Sequence, residues 1–518
     1  MNRKEGQIIE TIKKTAILLM VITVLSKVSG FLRDITLSFF YGATSTSDAY
    51  IISITITSVL FSLIISGVTT AYIPLFKQIE HGEGHQSATY FTNNLINIVV
   101  IVTTGVILIG LLISNLLVKL FALGFDGETL RVAVLFTRIG LVGIYFTSIT
   151  QLFIGYLQLY GKFTIPAMVG LPFNFIIIIS IIVSTQTNII ALAIGSVLAA
   201  FVQLLFLFPT LKKTNYRYVP IVQFNDKNIK KMAVIVFPIM IGISIDQINL
   251  MVDKTLASTL VEGGVSALTY ASRLNDFVQG IFVLSFVTVM FPLISNMAVQ
   301  KNKEDFKRSI SEVISVVILI VVPASIGIMI LAEPIIRLLF GHGHFDERAI
   351  DMTTHALFFY SIGMIGYGVR EILNRSFYSL QDTKTPMYNA SIAVILNIIL
   401  SVILSSYMGI SGIALATSIS ALFCSTLLCI KLRKKIGAFG LKGNLITFMK
   451  VTVASSIMGF FLYFFSKYVF TDWSIFLKMG ISILLGSIIY FTIITLLKVK
   501  ESKLLVNFLR DKIHLKQT

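Results

Sequence analysis

The residues that could do chemistry in this chain are charges set where a bilayer-soluble sequence should have none. From Ser26 to Tyr50 it reads SKVSGFLRDITLSFFYGATSTSDAY, so Lys27, Arg33 and Asp34 lie in or at the end of one apolar segment and Asp48 opens the next. A charge inside a spanning segment costs about 2.5 kcal/mol or more. Several in adjacent segments therefore need a wet cavity or partners. A second set follows at Asp246, Asp253, Lys254, Arg273 and Asp276. Lys27 and Asp34 are seven residues apart, as are Asp246 and Asp253, so each pair shares a helix face. Arg273 and Asp276 are i,i+3 neighbours, and Gly30 allows a bend that aims Lys27 and Arg33 inward.

Two readings of these charges stand side by side. In one, Asp34, Asp48, Asp253 and Asp276 neutralise Lys27, Arg33, Lys254 and Arg273 as internal ion pairs that hold helices together. In the other, the bases line a cavity for an anionic substrate and the acids position them. Phosphate suits such a cavity, because it offers several acceptors to an arginine fork and a lysine point charge. A further group, Arg370, Glu371, Asn374 and Arg375, contains the i,i+4 pair Glu371–Arg375, for which self-neutralisation is the simpler account. Asp246, Asn397 and Thr417 fall at similar depths in their segments. They could supply oxygen ligands to a sodium ion, or form a hydrogen-bonded polar group with a protonated acid. His342, His344 and His355 lack a partner at ligand spacing and read as exposed loop residues. No P-loop, G-x-S-x-G or H-E-x-x-H motif occurs, so neither catalysis nor ATP hydrolysis is expected.

The elements that must position these charges are membrane helices. The chain has 518 residues, of which 55% are hydrophobic and only 13% charged, too few charges to clothe a soluble protein of this size. Runs of about 20 apolar residues give fourteen spans, near 14–40, 48–76, 89–119, 130–158, 164–184, 188–211, 230–258, 265–298, 308–331, 351–379, 385–407, 410–431, 445–468 and 474–497. The net charge of +17 is not a nucleic-acid footprint. The bases cluster in alternate loops, at Lys212, Lys213, Arg217, Lys227, Lys230 and Lys231, at Lys301 to Arg308, and at Lys431 to Lys442, with more in the tail. The intervening loops carry Asp126, Glu128, Glu262, Asp346, Glu347 and Asp472. That bias places both termini in the cytoplasm. Cys424 and Cys429 lie in an apolar helix and form no disulfide framework.

An internal repeat organises the spans. LFALGFDGETL (120–130) resembles LLFGHGHFDERAI (338–350), GKFTIP (161–166) resembles DTKTP (382–386), and IALAIGSVLA (190–199) resembles IALATSISAL (413–422), all offset by roughly 220 residues. The expected fold is therefore all-α and polytopic, with two six-helix lobes related by a pseudo-two-fold axis along the membrane normal, a cavity between them, and two extra C-terminal helices. The expected layout is an amphipathic cytoplasmic N-terminus (1–13), a first lobe (14–212), a cytoplasmic linker (213–229), a second lobe (230–435), the added spans 13 and 14 (436–497) and a basic cytoplasmic tail (498–518).

The motifs S-K-V-S-G-F-L-R-D (26–34), F-Y-G-A-T-S-T-S-D-A-Y (40–50), Y-A-S-R-L-N-D-F (270–277) and F-Y-S-L-Q-D-T-K-T-P (377–386) resemble those of the MurJ (MviN) family of lipid II flippases, in the multidrug/oligosaccharidyl-lipid/polysaccharide exporter superfamily. The resemblance spans the whole chain. It implies two lobes around a cationic cavity, with that family's bases falling on Lys27, Arg33 and Arg273 and its acid on Asp48. It also implies a lateral groove for a polyprenyl tail at spans 13 and 14, and a sodium site matched by Asp246, Asn397 and Thr417. The chain departs from the pattern in having Lys27 where arginine is commoner, Phe61, Ser62 and Ser66 where many members carry charges, and Ser401 where an acid could stand. The expected activity is translocation of an undecaprenyl-diphosphate-linked precursor, lipid II, across the inner membrane of a bacterium by a monomer among membrane lipids. The alternatives are a flippase for another lipid-linked oligosaccharide of capsule or teichoic type, a cation-coupled drug antiporter, and a non-transporting scaffold.

Overall fold

The computed structural model describes residues 3–214, 216–284, 297, 303–469 and 473–499, and among them it is helical almost throughout. The helices gather into two compact units, Met1–Ser266 and Ala267–Thr518. The first unit holds α1 (Arg3–Tyr41), α2 (Ser45–Glu83), α3 (His85–Leu112), α4 (Ser114–Phe121), α5 (Gly127–Leu141), α6 (Gly143–Leu159), α7 (Thr164–Met168), α8 (Gly170–Gln186), α9 (Ile190–Lys212) and α10 (Lys227–Leu260). Helix α11 (Gly264–Gln279) starts within the first unit, at Gly264–Ser266, continues into the second and runs into a π-helical turn, Gly280–Leu284. Then come α12 (Lys303–Leu339), α13 (Glu347–Ser379), α14 (Lys384–Met408), α15 (Ile410–Ile436), α16 (Leu441–Phe464) with a π-helical turn Phe465–Val469, and α17 (Ile475–Leu496).

In the first unit α2 is the central post, packed by α3, α5, α6 and α10, while α8 is flanked by α1 and α9. Tyr72, Phe76, Phe91 and Tyr156 fill the core where α2, α3 and α6 meet. Small residues set the close crossings. A Cβ on Gly195 would stand 1.7 Å from the Ser180 hydroxyl, and one on Gly67 would stand 2.9 Å from Val236 of α10. That second contact holds α10 to α2. The chain from residue 230 to 266 thus packs with the first unit, although the sequence groups it with the second lobe. In the second unit α15 lies against α13 and α14, and α12 against α13 and α16.

The repeat is visible in local geometry at an offset of 220 residues. After α6, the Lys162 N–H donates to the Leu157 carbonyl at 2.9 Å and the Gly161 N–H to Gln158 at 3.0 Å. After α13, the Asp382 N–H donates to Phe377 at 2.9 Å and the Gln381 N–H to Tyr378 at 3.0 Å. Both turns close through a left-handed residue, Gly161 at φ 69° and Gln381 at φ 58°. Asp126 and Asp346 each precede the next helix in extended geometry, and Asp346 caps α13 by accepting the Ala349 N–H at 2.8 Å.

Twelve helices among the described residues are long and apolar enough to cross a bilayer, and they coincide with twelve of the fourteen expected spans. The other two carry Lys27, Arg33 and Asp34, and Arg273 and Asp276. Span 1 lies within α1, which runs unbroken through the boundary expected near residue 13. Span 8 begins as α11, and its second half, 285–296, lies outside the described residues, as do Lys301, Asp472 and the tail from residue 500.

Candidate substrate-binding site

Arg33 sits on α1 where α8 crosses it, and each of its guanidinium nitrogens donates one hydrogen bond. Nε and one terminal nitrogen donate to Asp34 Oδ1 at 3.0 and 2.8 Å, and the other terminal nitrogen donates to Asn174 Oδ1 at 3.2 Å. Asn174 is itself aimed by donating to the Ser29 hydroxyl at 2.9 Å. A Cβ on Gly30 would lie 3.4 Å from the Asn174 amide nitrogen, at van der Waals contact. Arg33 is 24% exposed and Asp34 14%. The pair is screened but reachable. Arg33 borders a cavity of about 130 Å³ lined also by Ser53, Thr57, Phe136 and Ser196. Lys27, on the same helix, is exposed and has no hydrogen bond or ion pair among the described residues. An oriented guanidinium fork and an exposed lysine are side-chain types suited to phosphate oxygens.

Asp48 does something the sequence did not suggest. It is 2% exposed, and its carboxylate accepts the Gly263 N–H at 2.9 Å, the Ser266 N–H at 2.7 Å and the Ser266 hydroxyl. These are the unpaired donors at the start of α11. A carboxylate from a residue 218 positions away thus serves as that helix's cap. The neighbouring turn is fastened too, with the Ser45 N–H donating to Glu262 at 3.2 Å. Gly263 has φ +79°, and an added Cβ would lie 2.0 Å from the Ala43 carbonyl.

Asp253 and Lys254 are buried at 8% and 6% exposure, whereas Asp246, on the same helix, is exposed. In the second unit, Arg273 and Asp276 are both exposed on α11. On α13, Arg375 donates to Glu371 at 3.0 Å, as the spacing predicts, and Arg370 stacks on Tyr367 at 4.8 Å. Asn397 donates to Thr417 at 3.2 Å and accepts from Ser401 at 3.4 Å, while Thr417 donates to the Ile413 carbonyl at 3.0 Å. The Asn397 and Thr417 side-chain oxygens are thus hydrogen-bonded within the second unit. His342 and His344 are exposed loop residues, and His355 lies exposed on α13 within 3.3 Å of Asp351.

The second unit also holds a groove of about 1250 Å³ between α12, α16 and α17, lined by residues such as Pro323, Gly327, Met458, Met479 and Gly486. Pro323 has no N–H to give the Leu319 carbonyl four residues before it. The Tyr490 hydroxyl of α17 donates to that carbonyl instead, at 2.7 Å. An apolar wall whose backbone bond lost at Pro323 is repaired from a neighbouring helix suits a hydrocarbon occupant.

Two units of helices long and apolar enough to cross a bilayer, repeating one local pattern, define a multi-span membrane protein. The same fold is found in a structure described as an inward-facing multidrug resistance MATE family transporter of the MOP superfamily, at TM-score 0.68 and 14% identity over 82% of this chain and 98% of that one. More particularly, the family described as "Lipid II flippase MurJ" matches residues 37–484, and the chain belongs to that family. A structure of lipid II flippase MurJ in an inward closed conformation superposes at TM-score 0.81 with 27% identity, covering 93% of this chain and 98% of that one. Similar relatives include the probable lipid II flippase MurJ of Vibrio cholerae, 29% identical over 80% of this chain and 82% of that protein. The lipid II flippase MurJ of Burkholderia cenocepacia is 26% identical over 80% and 82%.

Proposed function

We propose that this chain moves lipid II, an undecaprenyl-diphosphate-linked peptidoglycan precursor, from the inner to the outer leaflet of a bacterial cytoplasmic membrane by alternating access. Family membership across residues 37–484 carries the reading. The geometry of each unit supports it. Lys27 and the Asp34- and Asn174-oriented fork of Arg33 supply charge for a diphosphate in the first unit, and Arg273, with Asp276, is assigned the same task in the second. The groove of α12, α16 and α17 has the lining a polyprenyl tail requires. Asp48 contributes by holding the start of α11. Asp253, Lys254, Arg370, Glu371 and Arg375 are assigned to charge balance around the path. Both termini lie in the cytoplasm, and the protein works as a monomer. Outward movement of the anionic head group is favoured by an inside-negative potential, by about 2.3 kcal/mol per charge per 100 mV.

The test is complementation in a strain depleted of its lipid II flippase, with surface labelling of the translocated precursor. Rescue is expected. Absence of rescue at normal membrane abundance overturns the substrate assignment. Arg33→Ala and Arg273→Ala should abolish labelling while inserting normally. Full rescue by both refutes the assignment of these bases. Sodium coupling is examined at Asp246, Asn397 and Thr417: if the ion is used, Asp246→Asn changes the sodium dependence of labelling, and an unchanged dependence removes it.

A further inference from the structure

The segment joining α9 to α10 is neither helix nor strand from Tyr216 to Gln223, yet its backbone is fastened along its length by three asparagines of α3. The Asn93 amide donates to the Arg217 carbonyl at 3.1 Å, and Asn97 to Ile221 at 2.9 Å. Asn94 donates to the Gln223 carbonyl at 3.0 Å and accepts the Gln223 N–H at 2.7 Å. The Tyr216 and Tyr218 hydroxyls close the set by donating to Asn93 and Asn97. A water-exposed linker needs none of this, because solvent serves its polar groups. An extended segment at the margin of a bilayer does need it, because hydrocarbon serves none. The position agrees. The rungs lie eight to twelve residues from the His85 end of α3, where α2, at 39 residues, outruns a hydrocarbon core of about 30 Å.

What the strap turns outward is chemically uniform. Tyr218, Val219, Val222 and Phe224 are 46–56% exposed. Around them stand the exposed bases Lys212, Lys213, Arg217, Lys227, Lys230 and Lys231. Of these, Lys227 pairs with Glu83 and Lys231 donates to Gln78. Apolar and aromatic side chains ringed by bases fit one partner, an interface of anionic phospholipid head groups. We propose that residues 216–224 form an interfacial strap that docks on anionic lipid in the leaflet at this end of the helices, the cytoplasmic leaflet in the topology given above. The linker is then part of the membrane-bound surface and not a loose tether. This holds whatever the transported substrate.

The chain's single tryptophan, Trp473, makes the test direct. In a Trp473→Phe background, Val222→Trp or Phe224→Trp reports the strap, and His344→Trp reports an exposed loop. Full-length protein is reconstituted in vesicles of phosphatidylcholine with or without phosphatidylglycerol. Brominated lipid should quench the strap reporters at least twofold more than His344→Trp, and acrylamide should do the reverse. Removing phosphatidylglycerol, or making Lys212→Gln, Lys213→Gln and Arg217→Gln together, should lower the lipid quenching. Joint Asn93→Ala, Asn94→Ala and Asn97→Ala should lower it as well; if that variant fails to fold, the lipid-composition arm stands alone. Strap reporters quenched by acrylamide and not by lipid overturn the proposal. Reporters shielded from both quenchers also overturn it, and point to cover by protein. Lipid quenching indifferent to phosphatidylglycerol and to the three charges overturns the anionic-lipid assignment.

Discussion

Replacing Asp48 by alanine tests whether this acid holds the protein together or waits for a substrate. The carboxylate is buried and accepts two backbone N–H groups and one hydroxyl at the start of α11. Losing a helix cap costs about 0.5–2 kcal/mol, and each buried donor left without an acceptor costs about 1–3 kcal/mol. Allowing Ser266 to rotate toward another acceptor, Asp48→Ala should destabilise by about 3 kcal/mol. Asp48→Asn should lose roughly half of that, since its amide oxygen still serves Ser266 while its amino group opposes the Gly263 N–H. Ser266→Ala alone removes one hydroxyl bond, at about 1 kcal/mol. Because the hydroxyl needs the carboxylate, the Ser266→Ala penalty should largely vanish in the Asp48→Ala background. The assay is thermal melting of purified protein in detergent, followed by monodispersity. An Asp48→Ala protein that melts with the wild type, or penalties that simply add, refutes the capping argument and returns Asp48 to the substrate.

Three other outcomes follow from the geometry. Arg33→Lys keeps the charge but can hold only part of the fork shared by Asp34 and Asn174, so precursor labelling should fall by roughly tenfold, about 1.4 kcal/mol; Asn174→Ala, which removes one acceptor, should fall less. Tyr490→Phe leaves the Leu319 carbonyl without its donor and should lower stability by about 1–2 kcal/mol, read as an earlier melt; an unchanged melt would mean that the Pro323 break is satisfied otherwise. Asp382, in the turn before α14, is held at about 2, below its ordinary 3.8, chiefly by Lys435 at 2.5 Å and then by the Thr385 N–H. Since the folded value is the lower one, its contribution is complete above pH 4 and disappears as pH falls toward 2. After allowance for solvent screening it is roughly 1 kcal/mol, and Lys435→Ala should flatten that part of the melting profile against pH.

How far the sequence carries the fold depends on whether the cause is local. Span positions follow from apolar runs, and the repeat follows from turn signatures whose hydrogen bonds recur 220 residues apart at Gly161 and Gln381. Glu371–Arg375 was legible for the same reason, since one turn of helix brings the two together. Pairing that depends on tertiary packing was not legible. The i,i+7 rule aligned Lys27 with Asp34, but Arg33 reaches back to its immediate neighbour because Asn174, arriving from α8, occupies its other side. No periodicity in α1 contains that information.

The missed residues share a signature that could have been used. Asn174, Asn93, Asn94 and Asn97 are amides inside apolar runs, where an unpaired amide is costly. Each was therefore bound to have a partner, and in each case the partner lies on another element, found only when the chain is folded. Charges in a membrane segment draw attention because they suggest a substrate. In the first unit they divide by exposure. Asp48, sealed at 2%, caps a helix, whereas Arg33, at 24% with two of its partners in place, keeps a face on a cavity. Burial separates the acid that fastens the fold from the base that remains able to meet an anion, and burial is what the linear pattern of charges does not contain.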